Sequence, residues 1–445
     1  VFKLSLLVMV CFSIPDEGMG PLELHRFFLD NDPFKNTNHL TKRERFNQGI
    51  PPNKHNERIF TLTINPTTGQ PDVAAKIKTQ QFLLNSNKNQ QKAGAVPGQS
   101  VSQPWSSIGP NNQAGRVRAA LFDEGDAEKD RVISGGVSGG LWLHEDIDNP
   151  VDQPWSRIKG VPGNLAVSNI IQDPGNFDIM YVGTGESYTS GDVTGNGIYK
   201  SSDGGTNWEQ VVGSSSGIVT STLNSSNWFI NGYFYINDLA IFDHDNDPTT
   251  TNWIYAALGM SNHRHMPNTY LDFFNYGLIY STDEGLTWNE IPINEAGTSK
   301  PEHINDIEVQ KLSNRIWLST TYGNGTDGGK FYFSDDGTTF TETSSTWSPT
   351  ADLSMFGRVE IEPSEINSAT HYILADVDSE AELYKTTDNF ATINKISEPD
   401  DVDTGIPTND FARTQAFYDL EIEVDPDDDN IVYVGGIDWH RSSDG

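Results

Sequence analysis

Four stretches of the chain say nearly the same thing: Ser201-Ser-Asp203-Gly-Gly205-Thr-Asn-Trp208, Ser281-Thr-Asp283-Glu-Gly285-Leu-Thr-Trp288, Ser334-Asp335-Asp-Gly337-Thr-Thr-Phe340 and Ser442-Ser-Asp444-Gly445. Degenerate copies place further acids at Asp146 and Asp388, so the acids recur at gaps of 57, 80, 52, 53 and 56 residues. A fixed period of this size is the mark of a repeat architecture, and one built of short strands points to propeller blades.

Each period has the same internal order. A β-branched run comes first (Val117–Asp123, Val167–Pro174, Ile236–Asp243, Ile304–Val309, Val359–Pro363, Tyr418–Pro426). A short apolar strand ending near glycine comes second, then a third strand such as Gly197–Lys200 or Gly277–Tyr280, then the Ser/Asp/Gly turn and a fourth strand opened by Trp208 or Trp288. Four short alternating strands per repeat predict an all-β propeller of four-stranded blades, six of them countable here. The turn has a mechanical reading. Ser and Asp oxygens accept bonds from nearby backbone N–H groups, Gly205 and Gly285 supply positive φ, and the aromatic residue seals the gap between sheets. Ser201, Asp203, Gly205, Trp208, Ser281, Asp283, Gly285, Trp288, Asp335, Gly337, Phe340, Asp388, Ser442 and Asp444 are therefore expected to be structural rather than catalytic.

The Ser-x-Asp-x-Gly-x-x-Trp pattern resembles the BNR or Asp-box repeat of sialidases, sortilin-type receptors, xyloglucanases and photosystem assembly factors. Trp105–Pro110, Gly115-Arg-Val117 and Gly135–Trp142 resemble a secreted bacterial branch with a sortilin-like propeller. The resemblance covers about residues 104–445 and implies a fold more than a function, because one fold hosts many chemistries. Sialidases use three arginines and a Tyr/Glu nucleophile pair. Arg116, Arg264, Arg358 and Arg413 are present, but an Arg-Ile-Pro signature is not. Xyloglucanase-like propellers place an acid before the paired glycines of the first blade, where this chain has Val137-Ser138.

The ends read as incomplete: the chain opens on Val1 and stops at Gly445 inside a turn, so a C-terminally truncated ring of seven or eight blades is expected in the full protein. A six-blade ring completed by Pro104–Ile108 as a displaced fourth strand is the alternative. The apolar run Leu4–Ile14 after Lys3 is too short to span a bilayer and suits a secretory signal, making residues 1–20 signal-like and the location secreted or cell-surface. It holds Cys11, the only cysteine, so no disulfide framework is expected. Residues 21–103, rich in Asn, Gln, Lys and Pro, read as an N-terminal extension or pro-region with linker. Within it, Leu22–Leu29 and Leu40–Phe46 fit short helices and Ile59–Asn65 a strand.

Net charge is −33 and is unevenly placed: residues 1–104 carry 12 basic and 8 acidic residues, the remainder 17 and 54. Such an acidic domain does not seek nucleic-acid phosphates or anionic membranes. The runs Asp123–Asp130, Asp243–Asp247 and Asp425–Asp429 fall in turns between first and second strands. Asp243-His-Asp245-Asn-Asp247 is not an EF-hand, because Pro248 stands where the turn glycine belongs and Ile254 where the bidentate Glu belongs. No cofactor is expected, with calcium in an acidic turn the exception left open.

Ligands of propellers meet the face built from the loops between second and third strands and between blades. Three such loops are long or unusual here, and long loops in compact domains tend to be functional. They hold Glu186, Tyr188 and Asp192, then Trp228, then His263, Arg264 and His265. Carboxylates, imidazoles and aromatic planes suit sugar stacking with polar groups fixing hydroxyls; the bland alternative is loop packing and solvent-exposed histidines. His263-x-His265 has no third ligand in sight, so no metal is assigned. A catalytic residue is not assignable. The expected function is an extracellular binding module for protein or glycan. The alternatives are a glycoside hydrolase or lyase using a pair among Glu186, Asp192 and Asp272, and a sortilin-like receptor propeller.

Overall fold

The computed structural model describes, with short gaps, residues 115–149, 154–187, 195–213, 235–259 and 276–445, together with scattered positions between 23 and 71. Two compact units are distinguished, one built chiefly from residues 1–101 and one chiefly from residues 102–445. In the first, Ile64–Asn65 pairs antiparallel with Gln70–Pro71, and Lys54 donates to Phe34 O and Thr37 Oγ1, both at 2.8 Å. The readings of residues 1–20, of 72–103 and of Pro104–Ile108 lie outside the described residues.

The second unit is a β-propeller of six sheets. Blade one runs through Val117–Phe122, Val132–Gly136, Gly140–His144 and Ser156–Arg157; blade two through Val167–Asp173, Asn176–Thr184, Ile198–Ser201 and Glu209–Val212. Blade three holds Tyr235–Phe242, Trp253–Gly259, Gly277–Ser281 and Asn289–Ile291; blade four holds Ile304–Gln310, Arg315–Thr320, Phe331–Ser334 and Thr341–Glu342. Blade five has Phe356–Pro363, His371–Val377, Glu380–Thr386 and Thr392–Lys395, with Thr346–Ser348 added parallel to its outer strand. Among the described residues blade six has three strands: Glu421–Val424, Val432–Gly435 and Trp439–Arg441. Consecutive inner strands are neighbours from blade one to blade six. The first and last blades meet where Arg118 Nη1 donates to Tyr418 O at 2.6 Å. The described residues draw six blades, the number countable from the repeats.

The core lies between blades. Ile133, Leu141 and Ile158 of blade one pack with Val167, Met180, Val182, Tyr199 and Trp208 of blade two. Trp288 joins blade three to Tyr181 and Val211 of blade two. The repeated turn explains why these interfaces recur. Ser201 Oγ donates to Asp203 Oδ1 and accepts from Gly205 N, both at 2.9 Å; Asp203 Oδ1 accepts from Asn207 N at 2.8 Å; and Trp208 Nε1 reaches Gly205 O at 2.8 Å. Ser281, Asp283, Gly285, Thr287 and Trp288 repeat this set. Gly205 has φ +83°, and a Cβ there would sit 3.0 Å from Ile133 Cδ1 of the preceding blade, so the turn needs glycine for both conformation and closeness. In blade five Thr386 replaces Ser and bonds Asp388 at 2.9 Å, and in blade six Ser442 bonds Asp444 at 3.1 Å.

The fourth copy corrects the sequence reading. The capping acid is Asp336, whose Oδ1 accepts from Thr338 N at 2.8 Å and Thr339 N at 2.7 Å. Asp335 instead pairs with Arg315 at 2.6 Å. Counting two residues on from Ser334 selects Asp336; aligning on the first acid selects its neighbour. In blade one the degenerate copy uses His144, whose Nδ1 accepts from Asp146 N at 3.3 Å.

The inner strands carry a second repeated device. Five of them have a bulge at the same level: Val117/Ala119, Val167/Asn169, Ile236/Asp238, Ile304/Asp306 and Phe356/Val359. A bulge re-aims side chains, and here it turns polar groups onto the next blade. Asn169 Nδ2 donates to Asp238 Oδ1 at 2.8 Å, Asn237 Nδ2 to Ile304 O at 2.9 Å, and Asn305 Nδ2 to Val359 O at 2.6 Å. Asp238 Oδ2 accepts from Ile307 N at 2.8 Å, and Asp306 Oδ2 from Ile361 N at 2.7 Å.

Asp238 and Asp306 also touch each other within the ring of Glu308, Glu360, Glu362, Glu421 and Glu423. Burial, and then the neighbouring carboxylates, push Asp306 and Glu308 well above the usual range; burial pushes Asp238 up to about 7. A carboxyl that keeps its proton when folded and loses it when unfolded makes stability fall as pH rises. For Asp238 the window runs from its ordinary 3.8 to about 7. We therefore expect the melting temperature to fall as pH rises from about 4 to about 7, with Asp238 contributing across that window. Asp238→Asn should reduce that slope by the equivalent of about one proton, about 1.4 kcal/mol per pH unit, as read by calorimetry across pH. An unchanged slope would refute the assignment.

Candidate functional site at the channel mouth

Glu186 is the described member of the set Glu186, Tyr188, Asp192, Trp228, His263, Arg264 and His265; the other six lie outside the described residues. Glu186 follows the second strand of blade two. Gly185, at φ +94°, turns the chain there, and its N–H bonds Ala166 O at 3.0 Å. The next residue anchors the loop to blade three, where Ser187 Oγ donates to Asn237 Oδ1 at 2.6 Å.

This geometry drives Glu186 into the ring, 1% exposed, against Tyr418. The phenol donates to Glu186 Oε1 at 3.0 Å. Tyr418 lies in the segment leading into the inner strand of blade six. Its N–H bonds Gln415 O at 2.7 Å, and its carbonyl accepts from both Arg118 Nη1 at 2.6 Å and Arg358 Nη1 at 2.7 Å. The Arg118 guanidinium lies 5.0 Å and the Arg116 guanidinium 5.6 Å from the centre of the Tyr418 ring. Arg358 is further ion-paired to Glu360. Four blades thus converge: one gives Arg116 and Arg118, two gives Glu186, five gives Arg358, and six gives Tyr418 and Asp419.

The electrostatics follow from this crowding. Burial raises the Glu186 carboxyl above its ordinary value, although Arg118, the Tyr418 hydroxyl, Arg116 and Arg358 all pull it back. Burial and then the Glu186 charge push Tyr418 up to about 12. Burial also raises Asp419 against the same three arginines. The result is a carboxyl–phenol pair beneath a cluster of guanidiniums, on the face formed by loops between blades. Such a cluster can hold an anion by charge-assisted hydrogen bonds, and the pair beneath it can pass a proton.

The sequence reading named Glu186, Arg116 and Arg358, but neither Arg118 nor Tyr418 as site residues. Arg118 sits at the bulge of the blade-one inner strand, which would have marked it, whereas Tyr418 precedes the inner strand of blade six and no local feature singles it out. Arg413, counted among the arginines for a substrate carboxylate, is elsewhere. It spans Asp401 at 2.6 Å, Asp403 at 2.8 Å and Asp438 at 2.9 Å. Those three acids form the one group among the described residues compact enough for a metal ion, and the guanidinium already supplies their positive charge. Asp245 of the acidic turn accepts from Asp247 N at 3.0 Å and Thr250 Oγ1 at 2.9 Å, the behaviour of a turn cap. Among the described residues no helix is long and apolar enough to cross a membrane.

No family model and no curated protein matches this chain. Among solved structures it is similar to the GH74 xyloglucanase from Xanthomonas campestris, at 15% identity and a TM-score of 0.47, over 74% of this chain and 45% of that one. It is similar also to the extracellular domain of the one-component system BT4673 from B. thetaiotaomicron, at 14% identity and 0.44, over 78% of this chain and 34% of that one. A third is YCF48 from Cyanidioschyzon merolae, at 13% identity and 0.35, over 73% of this chain and 93% of that one. The chain therefore spans less than half the length of the first two, and the Asp-box family remains a resemblance.

Arg358 is 8% exposed and bonds both Glu360 and Tyr418 O. Arg358→Met is expected to destabilise the fold by about 3 kcal/mol, because it leaves a partly buried carboxylate without its cation. A denaturant midpoint equal to that of the parent would show that Arg358 does not hold blades five and six together.

Proposed function

We propose that this chain is an extracellular propeller that binds a carboxylate-bearing glycan at the channel mouth. The observation that carries the reading is the convergence of Arg116, Arg118 and Arg358 on Tyr418 beside the buried Glu186. Arg118 and Arg358 are committed to the Tyr418 carbonyl and so shape the site. Arg116 is exposed at its rim and is the cation best placed to meet a ligand. An acidic sugar would set its carboxylate on the Arg116 guanidinium at the rim. Tyr188, Asp192, Trp228, His263, Arg264 and His265 are proposed as further ligand contacts on the chemistry of their side chains. The leader-like run Leu4–Ile14 supports export.

A second reading is favoured by the 3.0 Å bond between Tyr418 and Glu186. In a glycoside hydrolase the phenolic oxygen would attack the anomeric carbon as the glycosidic C–O bond breaks, Glu186 taking the phenol's proton and solvent protonating the departing alcohol; water would then release the sugar from the phenol and return the proton. Burial raises the Glu186 carboxyl and so strengthens it as a base.

Titration calorimetry with uronate- or sialate-containing oligosaccharides and their neutral analogues separates these readings. The acidic ligands are expected to bind and the neutral ones not. Arg116→Ala should weaken binding about tenfold or more, the equivalent of losing one charge-assisted hydrogen bond, and Arg116→Lys should restore part of it. Equal binding of acidic and neutral sugars, or full affinity in Arg116→Ala, would sink the site. If release of methylumbelliferone from an acidic glycoside is seen and is lost in Tyr418→Phe, the hydrolase reading replaces simple binding.

A further inference from the structure

Blade six is unlike its neighbours at its outer edge. Counting back three residues from the serine, threonine or histidine that opens each repeated turn gives Leu141, Ile198, Leu278, Phe331, Leu383 and Trp439. The first five are 0–5% exposed, whereas Trp439 is 65% exposed. In the other blades a fourth strand lies over this position: Ile158 N bonds Leu141 O at 2.9 Å, Ile291 stands opposite Leu278, and Ile396 N bonds Leu383 O at 3.0 Å. Trp439–Arg441 has no such neighbour among the described residues.

The chain holds one segment of matching chemistry. Gln103-Pro-Trp105-Ser-Ser-Ile108 repeats Gln153-Pro-Trp155-Ser-Arg-Ile158 at a distance of 50 residues, differing only at Ser107. The second copy contains the fourth strand of blade one, Ser156–Arg157. The spacing to the next inner strand is also the same: Trp155 precedes the inner strand beginning at Val167 by 12 residues, and Trp105 precedes the inner strand beginning at Val117 by 12. A fourth strand just upstream of the inner strand of blade one would belong to the blade before it in the ring, and that blade is blade six.

We propose that the open edge of blade six is a docking site for Trp105–Ile108 of the same chain. The register is fixed by the other blades. Leu143 stands opposite Ser156 and Trp142 opposite Arg157 in blade one; Tyr280 stands opposite Asn289 in blade three, and Phe333 opposite Thr341 in blade four. Carried to blade six, this places Ser106 opposite Arg441, Ser107 opposite His440 and Ile108 opposite Trp439. Ile108 then covers the exposed indole, and the edge amides of Trp439–Arg441 gain partners, as an unpaired edge strand requires. The propeller becomes circularly interlocked, its sixth blade finished by residues that precede its first.

Cysteine pairs in the full chain, with Cys11→Ser, test this. Directly opposed residues of an antiparallel pair have Cβ atoms near enough for a disulfide, whereas a one-residue slip turns one of the two side chains to the other face. The in-register pairs Ser106→Cys with Arg441→Cys and Ser107→Cys with His440→Cys are expected to yield an intramolecular disulfide on mild oxidation, read by intact mass and gel mobility. The slipped pair Ser106→Cys with His440→Cys should oxidise at least tenfold more slowly. Equal rates in all three pairs, reactive but uncrosslinked thiols in a folded protein, or a disulfide found only between two molecules would each overturn the proposal.

Discussion

The hydrogen bonds that cross from one inner strand to the next are the constraint on which the propeller depends. A sheet buries its faces against neighbours, but blades arranged around an axis are narrowest at the centre, where side chains have least room. Bulges in five of the inner strands answer this, and those of blades two, three and four turn a short amide or carboxylate sideways onto the following blade. Asp238 and Asp306 each take an amide N–H from the next blade, while Asn169, Asn237 and Asn305 donate forward to it. In every case the side chain reaches onto the following blade. The turns farther out add apolar sealing through Trp208 and Trp288, and that sealing is local to each interface.

The same belt creates the electrostatic character of the ring. Carboxylates used as acceptors for backbone amides are brought together by rotational repetition, so the channel gathers acids that raise one another's proton affinity. Three arginines gather around Tyr418. Arg118 and Arg358 belong to the blades on either side of Tyr418 and grip its carbonyl from both directions, so the first blade, the fifth and the sixth meet at a single atom. The proposed ligand site is thus also a structural junction, where Arg116 at the rim is separable from the residues that hold the ring.

The sequence exposed the repeat but misplaced some of its members. Asp335 and Asp336 are chemically alike, and only the distance from Ser334 tells which one the turn can reach. Glu186 was legible as a polar residue in a promising loop. Its partner Tyr418 lies 232 positions away, and nothing local marks it as more than the start of a β-branched run. Arg413 looked like an equal of Arg116 and Arg358, yet three surrounding aspartates consume its charge.

Sequence alone determined the all-β class, the four-strand order of a blade, the six countable repeats, the turn chemistry, and the contrast between an acidic body and a basic, Asn/Gln-rich N-terminal stretch. These are short-range properties, written in strand alternation and in a pattern eight residues long. Tertiary structure alone decided which blades touch, which arginines are spent on structure, and that Glu186 faces a phenol rather than solvent. Those outcomes depend on curvature about the central axis, which brings together strand ends from opposite halves of the chain. No local pattern encodes a distance between residues separated by several blades, so the site became visible only once the ring was drawn.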